Sequence, residues 1–213
     1  ILNTIINDNE NNNLNASKKF LNDIANSANQ SSNLISKAWA KYTRKVDYGI
    51  DAVDLDKIAA LIESNLPTKL YYTAFRDNAY DTHVHQNNLH TRLLTYASDA
   101  IRGFMSDIDR MGRSEDIVLL VMTEFGRRVP ENTSLGTDHG AAGPMFIIGS
   151  SVKGGHYGEI PDLVNGLDDG DNLKFTTDFR SVYATLIDKW LQVDSKNILR
   201  KNFQTFDIFD RTT

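Results

Sequence analysis

The chain contains no cysteine among its 213 residues. A disulfide framework, a zinc–cysteine cluster and a cysteine nucleophile are therefore all excluded. Long apolar runs are also missing, because the longest, residues 117–122, has only the length of a strand and could not span a membrane. No signal peptide is visible and the chain begins at Ile1 instead of Met, so we expect a processed chain or a C-terminal fragment.

Positive charge is scarce as well. The 23 Lys and Arg residues are outnumbered by 28 Asp and Glu, which gives a formal net charge of −5. Binding to nucleic acid needs clustered Lys and Arg, so we do not expect it. The segment 1–15 is rich in Asn, which favours disorder over packing. We therefore predict a disordered segment over residues 1–15 and a single domain over residues 16–213.

The spacing of apolar residues predicts helices that alternate with strands. The pattern predicts one or two helices over residues 17–44, interrupted near residues 30–32, and further helices over 54–66 and 88–111. Thr177 or Asp178 caps a last helix. The predicted strands cover residues 70–75, 117–123 and 145–148. The middle strand is apolar on both faces, as in the interior of a parallel sheet. The pattern predicts an α/β fold with a layered, mostly parallel sheet flanked by helices.

Polar side chains gather near the ends of these predicted strands. Open α/β sheets bind their ligands at the carboxyl ends of the strands, so we expect these side chains to form one site. Carboxylate and imidazole together suit Zn²⁺, Mn²⁺ or Fe²⁺. The predicted members of the site are Asp81, His83, Glu124, Asp138 and His139.

Two further histidines are reserve ligands. His85 lies near the expected start of a helix, and His156 lies in a glycine-rich segment that has the composition of a hairpin turn. A structural interpretation also stays open, in which pairs such as Glu124 with Arg127 and Asp81 with His83 only stabilise the strand ends.

The motifs at these positions resemble those of a known family. They are Asp-Thr-His at residues 81–83, Thr-Glu-Phe-Gly-Arg at 123–127 and Gly-Thr-Asp-His-Gly at 136–140. Together they are similar to a bacterial family of exported proteins of unknown function. That family is placed in the alkaline phosphatase-like superfamily, beside sulfatases and cofactor-independent phosphoglycerate mutases. The resemblance covers about residues 45–195. It implies an alkaline phosphatase-like fold and a periplasmic or exported location.

The superfamily resemblance also implies a two-metal site for phosphoryl or sulfuryl transfer. Its ligands follow the order Asp-x-x-x-His, then Asp-His, then a later His, and this order fits the sequence in two alignments. In the first alignment, Asp81 and His85 are followed by Asp138 and His139, and His156 is the late ligand.

In the second alignment, Glu124 and Phe125 stand in the place of Asp-His, His139 is the late ligand and His83 replaces His85. We favour it because it keeps each motif at a strand end. Phe125 cannot bind a metal, so this alignment implies that the second of the two metal positions is altered and that the site holds one ion only. Asp138 then has a supporting role.

These observations predict a metal-dependent hydrolase of phosphate or sulfate esters, or the C-terminal part of one. It would hold one or two divalent ions, such as zinc or manganese, and act on a small anionic ester. Arg127 is the expected binder of the anion, because its planar guanidinium suits phosphate and sulfate.

The nucleophile is not expected in this chain. The Ser, Thr or formylglycine nucleophile of the superfamily comes from an N-terminal half that nothing before Asp47 resembles. Phe125 and this missing nucleophile favour the alternative prediction, a non-catalytic exported protein for binding or surface assembly that retains a degenerate alkaline phosphatase-like fold.

Overall fold

A computed structural model describes residues 16–75, 78–168 and 170–210. The segment 1–15, predicted to be disordered, lies outside the described residues. Helices in the described part are α1 (Ala16–Lys41), α2 (Leu55–Glu63), α3 (Gln86–Arg110), a 3₁₀ turn (Ser114–Asp116), α4 (Phe179–Thr185), which continues as a π-helical turn (Leu186–Trp190), and α5 (Ser195–Leu199). The strands are β1 (Leu119–Val121), β2 (Gly126–Arg127), β3 (His139–Gly140) and β4 (Phe146–Ile148).

The hydrophobic core lies where α2 packs against α3. Apolar residues recur at helical spacing on both helices, so each helix presents one apolar face to the other. The buried members of this core are Tyr48, Leu55, Ala59, Ile62, Ala100, Phe104 and Ile108. Both helices were predicted from the sequence, with ends that differ from the observed ones by a few residues.

A fully buried carboxylate, Asp107, ties the chain before α2 to α3. It accepts hydrogen bonds from the hydroxyl of Tyr48 (2.9 Å) and from that of Tyr42, and Nε of Arg110 donates to its other oxygen (2.7 Å). Burial and the bond to Asp107 raise the pKa of Tyr42 to about 12. Burial likewise raises the pKa of Tyr48, so both hydroxyls stay protonated and able to donate at neutral pH.

The strands form two small antiparallel sheets. β1 pairs with β4, so that Leu119 opposes Ile148, and β2 pairs with β3, so that Arg127 opposes His139. The strands predicted over 117–123 and 145–148 are present in shorter form. Among the described residues no strands other than these four pair in ladders, and the layered, mostly parallel sheet of an alkaline phosphatase-like fold stays a prediction.

The strand predicted over residues 70–75 is wrong for this structure. Within the described part of the chain this segment pairs with no other backbone. Its side chains still alternate, because Tyr71 packs against the core whereas Leu70 and Tyr72 are 78% and 80% exposed. The sequence therefore has the period of a strand, but a strand also needs a neighbour to bond with, and none of the described strands lies beside it.

A candidate metal centre

The site forms where the segment before α3 meets the β2–β3 ribbon. The amide of His85 donates to the carbonyl of Ser134 (3.0 Å), and that of Gln86 donates to Leu135 (2.9 Å). These bonds dock the loop between β2 and β3 onto the start of α3. They bring together Asp81 and His139, which are 58 residues apart in the sequence.

Two glycines permit this close docking. A Cβ atom on Gly136 would lie 2.2 Å from the carbonyl oxygen of His83, and one on Gly126 would lie 1.6 Å from the carbonyl oxygen of Ala142. Neither distance is possible for a real side chain. Glycine is therefore required at both positions for the loop and the ribbon to approach their neighbours.

Asp81, His83 and His139 converge on one point. Oδ1 of Asp81 lies 2.6 Å from Nε2 of His139 and 3.0 Å from Nε2 of His83, and the two Nε2 atoms are 3.0 Å apart. Tetrahedral zinc, with bonds of about 2.0–2.1 Å, spaces its ligand atoms roughly 3.3 Å apart, so the observed triangle is only slightly smaller. In the described residues no other group of three or more His, Cys, Asp or Glu side chains comes together in this way.

The chemistry of this set fits a divalent metal. Two imidazoles and one carboxylate are a ligand set that proteins use for Zn²⁺ and Fe²⁺ with positions left open for substrate. The side chains are 35% exposed for Asp81, 40% for His83 and 45% for His139, so an ion can reach them from solvent. The hydrogen bond with His139 holds the pKa of Asp81 below its usual range, so the carboxylate stays ionised to a more acidic pH than an ordinary aspartate.

Asp138 supports the set from behind His83. Its Oδ1 lies 3.4 Å from Nδ1 of His83, the ring nitrogen that does not face the other ligands. A carboxylate on the second nitrogen commonly orients a metal-binding histidine. The hydrogen bond from Asn132, followed by that from His83, lowers the pKa of Asp138.

Asn132 is a residue that sequence reasoning missed. Its Nδ2 donates to Oδ1 of Asp138 and to the carbonyl of His83, both at 3.1 Å, and its Oδ1 accepts from the amides of Ser134 (2.9 Å) and Gly136 (3.0 Å). The signal in the sequence is an Asn at the start of a polar, glycine-containing loop, which is typical of a turn in which the side chain bonds to its own backbone.

Phe125 and Arg127 lie beside His139. The ring of Phe125 stacks on the imidazole, with 3.7 Å between centroids and 13° between planes, and the guanidinium of Arg127 lies 5.1 Å from the centre of the Phe125 ring. Arg127 donates from Nη1 to the carbonyl of Thr137 (2.6 Å) and from Nη2 to that of Tyr80 (2.7 Å). Its Nη2 is also 3.5 Å from Oδ1 of Asp81.

Besides Asp138, three predicted ligands stay outside the converging set. His85 precedes α3 in a left-handed conformation, with φ of 46°, and its side chain is exposed. Glu124 and His156 are exposed too, and neither belongs to the group that could hold an ion. Of the two histidines that compete in the two alignments, the geometry therefore places His83, and not His85, beside Asp81. The ligand roles themselves stay predictions.

An open cavity of about 510 Å³ adjoins the site. Asp81 and His83 form part of its wall, and Val84, Leu89 and Leu93 supply an apolar part. Its size lies within the range of small-molecule sites.

One protein family matches the chain. The family is described only as proteins of unknown function, DUF1501, and the match covers residues 58–201. No curated protein and no solved structure matches the chain. Among the described residues no helix has both the length and the apolar character needed to cross a membrane.

Proposed function

Because the chain belongs to the DUF1501 family, whose function is unknown, we propose an activity from its own site: it is a metal-dependent hydrolase of phosphate or sulfate esters, or the C-terminal part of one. The observation that carries the proposal is the convergence of Asp81, His83 and His139 on one point that is open to solvent. These three side chains hold a single divalent ion, zinc or manganese, and Asp138 orients His83.

The charges around the site support a metal-dependent reaction. Asp81 and Asp138 place two carboxylates beside two histidines, and two carboxylates alone would repel an anionic ester. A divalent ion held there offsets this repulsion. When bound, such an ion supplies Lewis-acid stabilisation of the developing charge and lowers the pKa of a bound water.

The substrate lies in the adjoining cavity. Its anionic group faces the wall formed by Asp81 and His83, and the rest of the ester lies along the apolar part formed by Val84, Leu89 and Leu93. Since the ligand side chains are only partly buried, the site takes small esters from solvent without a large opening motion.

Replacement of His139 tests the metal site. We expect the purified wild-type chain to retain about one zinc or manganese ion by elemental analysis, because structural and catalytic ions are held by three or four such ligands. His139→Ala removes one ligand and should lose the ion. His156→Ala is the matched control, since this exposed histidine lies outside the converging set. Equal metal content in all three proteins would overturn the assignment.

An activity screen tests the reaction. The metal-loaded protein should hydrolyse an aryl phosphate or an aryl sulfate, and His139→Ala should abolish the turnover. Turnover that is unchanged after chelation and dialysis would refute a metal-dependent hydrolase. The exported or periplasmic location is part of the proposal. Fractionation of cells that produce the protein with its natural targeting sequence tests it.

A second candidate is a non-catalytic exported binding protein. Phe125 favours it, because an apolar ring stacks on His139 at a position where the favoured alignment would need a second metal ligand. This candidate predicts that the chain binds one ion and that neither ester is hydrolysed at any metal loading.

A further inference from the structure

We propose that Phe125 and Arg127 are positioning residues that hold Asp81 and His139 in the geometry of metal ligands. The inference rests on the metal site of the proposed function. It differs from the role predicted from the sequence, in which Arg127 binds the anionic substrate.

The pairing of β2 with β3 places both residues on the same face as His139. Arg127 is directly opposite His139 in the ladder, and side chains of opposed residues lie on one face of a ribbon. Phe125 lies just before β2, and its ring stacks on His139, so it lies on that same face. The Phe-Gly-Arg sequence therefore puts a ring and a guanidinium beside the imidazole.

Phe125 restricts the orientation of His139. The nearly parallel rings, 3.7 Å apart at their centroids, leave the imidazole little freedom to turn about its side-chain bonds. In this orientation Nε2 of His139 lies 2.6 Å from Asp81. A residue without a flat ring at position 125 would free the imidazole to adopt other rotamers, so fewer molecules would present the ligand correctly.

Arg127 joins the two segments that carry the ligands. Its two donated bonds end on the carbonyls of Tyr80 and Thr137, residues that come just before Asp81 and shortly before His139. The guanidinium side chain is only 18% exposed. Its two terminal nitrogens are therefore engaged with the backbone, and this leaves the side chain poorly placed to turn toward a substrate.

The charge of Arg127 and its hydrogen bonds have opposite effects on metal affinity, so an experiment can distinguish them. A guanidinium close to Asp81 repels a bound cation, so removing its charge alone would strengthen metal binding. Removing its two bonds would loosen the segments that carry Asp81 and His139, and this would weaken metal binding. Groups that orient metal ligands typically change the affinity by about 10–100-fold when they are replaced.

The experiment is a titration of Co²⁺ into the metal-free chain. Calorimetry measures the affinity, and the visible spectrum of the bound ion reports its coordination. The variants are Arg127→Gln, Arg127→Lys, Phe125→Leu and Phe125→Tyr, and far-UV circular dichroism checks that each is folded. Arg128→Gln is the matched control, since it removes the same charge from an exposed neighbour. Binding of inorganic phosphate to each metal-loaded protein is measured in parallel.

We expect Arg127→Gln and Phe125→Leu to weaken Co²⁺ binding about 10-fold or more and to change its spectrum. Phe125→Tyr keeps the ring and should restore both properties, and Arg128→Gln should bind as wild type or slightly more tightly. Unchanged or tighter binding by Arg127→Gln would overturn the proposal. So would normal Co²⁺ binding by both Arg127 variants together with weaker phosphate binding, because that result assigns Arg127 to the substrate.

Signals from the imidazoles separate this inference from the proposed function. If the wild-type chain binds no Co²⁺, the hydrolase proposal fails. The nuclear Overhauser contact between the ring protons of His83 and His139 then still reports whether the two imidazoles face each other, and loss of the Phe125 ring current does not by itself remove it. Loss of this contact in Phe125→Leu and in Arg127→Gln, with Phe125→Tyr retaining it, supports the positioning role, and an unchanged contact in all three variants overturns it.

Discussion

Asp107 is the residue on which the buried polar contacts of the core converge. Its carboxylate has no exposed surface, and Tyr42, Tyr48 and Arg110 all donate to it. A buried charge is tolerated only when such partners satisfy it, so each donor matters more than an exposed hydrogen bond would. The sequence shows the apolar stripe of α3 but not this contact, because Tyr48 and Asp107 are 59 residues apart.

Replacement of Tyr48 by Phe should destabilise the chain. The variant keeps the ring in the core but removes one donor to Asp107, and an unsatisfied buried partner costs about 1–3 kcal/mol. Urea unfolding should show a lower midpoint with an unchanged slope. Tyr72→Phe is the control, because the side chain of Tyr72 is 80% exposed. Equal stability of Tyr48→Phe and wild type would contradict the role given to this network.

The start of helix α3 affects both the stability of the fold and the geometry of the candidate metal site. The helix begins after His85, which has φ of 46° and makes no side-chain cap. A non-glycine residue in the left-handed region is strained, so the chain accepts a local cost at this point. The bonds from His85 and Gln86 to the loop before β3 compensate for it and also draw His83 toward His139.

Replacement of His85 by Gly should raise the thermal midpoint. Relief of the left-handed strain favours the folded state by about 1–2 kcal/mol, and the extra freedom of glycine in the unfolded chain offsets roughly 0.5–1 kcal/mol of this. Calorimetric unfolding measures the net gain.

The same variant distinguishes the two alignments of the metal ligands. If His83 is the ligand, His85→Gly keeps its metal content. If His85 is the ligand, the ion is lost while the protein stays folded. His156→Gly gives a second test, since His156 is a ligand only in the first alignment and is exposed in the structure.

At the scale of the whole molecule, burial is uneven. The α2–α3 core contains fully buried side chains such as Ala59, Ala100 and Ile108. Residues 154–165, by contrast, are exposed throughout, and Ile160 and Val164 are 83% and 80% exposed. Local opening requires the least free energy where few apolar contacts are broken. Backbone amides in the buried core should therefore be better protected from hydrogen exchange than amides in the exposed segment.

Native-state hydrogen exchange should therefore show three regions of the chain with different exchange rates. The amides in the central turns of α3, around Phe104, should exchange slowest and only through global unfolding, because Ala100, Phe104 and Ile108 of these turns belong to the buried core. Amides of residues 154–165 should exchange fastest. The β1–β4 pair should lie between them, since an isolated two-stranded sheet is only marginally stable. Uniform protection across these three regions would show that the chain opens only as one unit.

Local pattern was enough to predict some parts of this protein. The apolar stripes of α2 and α3 and the start of α4 after Asp178, whose side chain accepts from the amide of Arg180, follow from residues a few positions apart. The types of residue that could bind a metal were also readable, because carboxylates and imidazoles near Gly-rich motifs carry that chemistry by themselves.

Only the tertiary structure decided how these parts meet. The sequence favoured His83 over His85 only through the alignment of motifs, because both lie within a few residues of Asp81. Which of the two lies beside His139 depends on the docking of a distant loop. The strand period of residues 70–75 could not reveal that no strand in the described part of the chain pairs with the segment. Contacts between residues more than 50 positions apart, such as His83 with His139, depend on how the whole chain packs, and no local pattern encodes them.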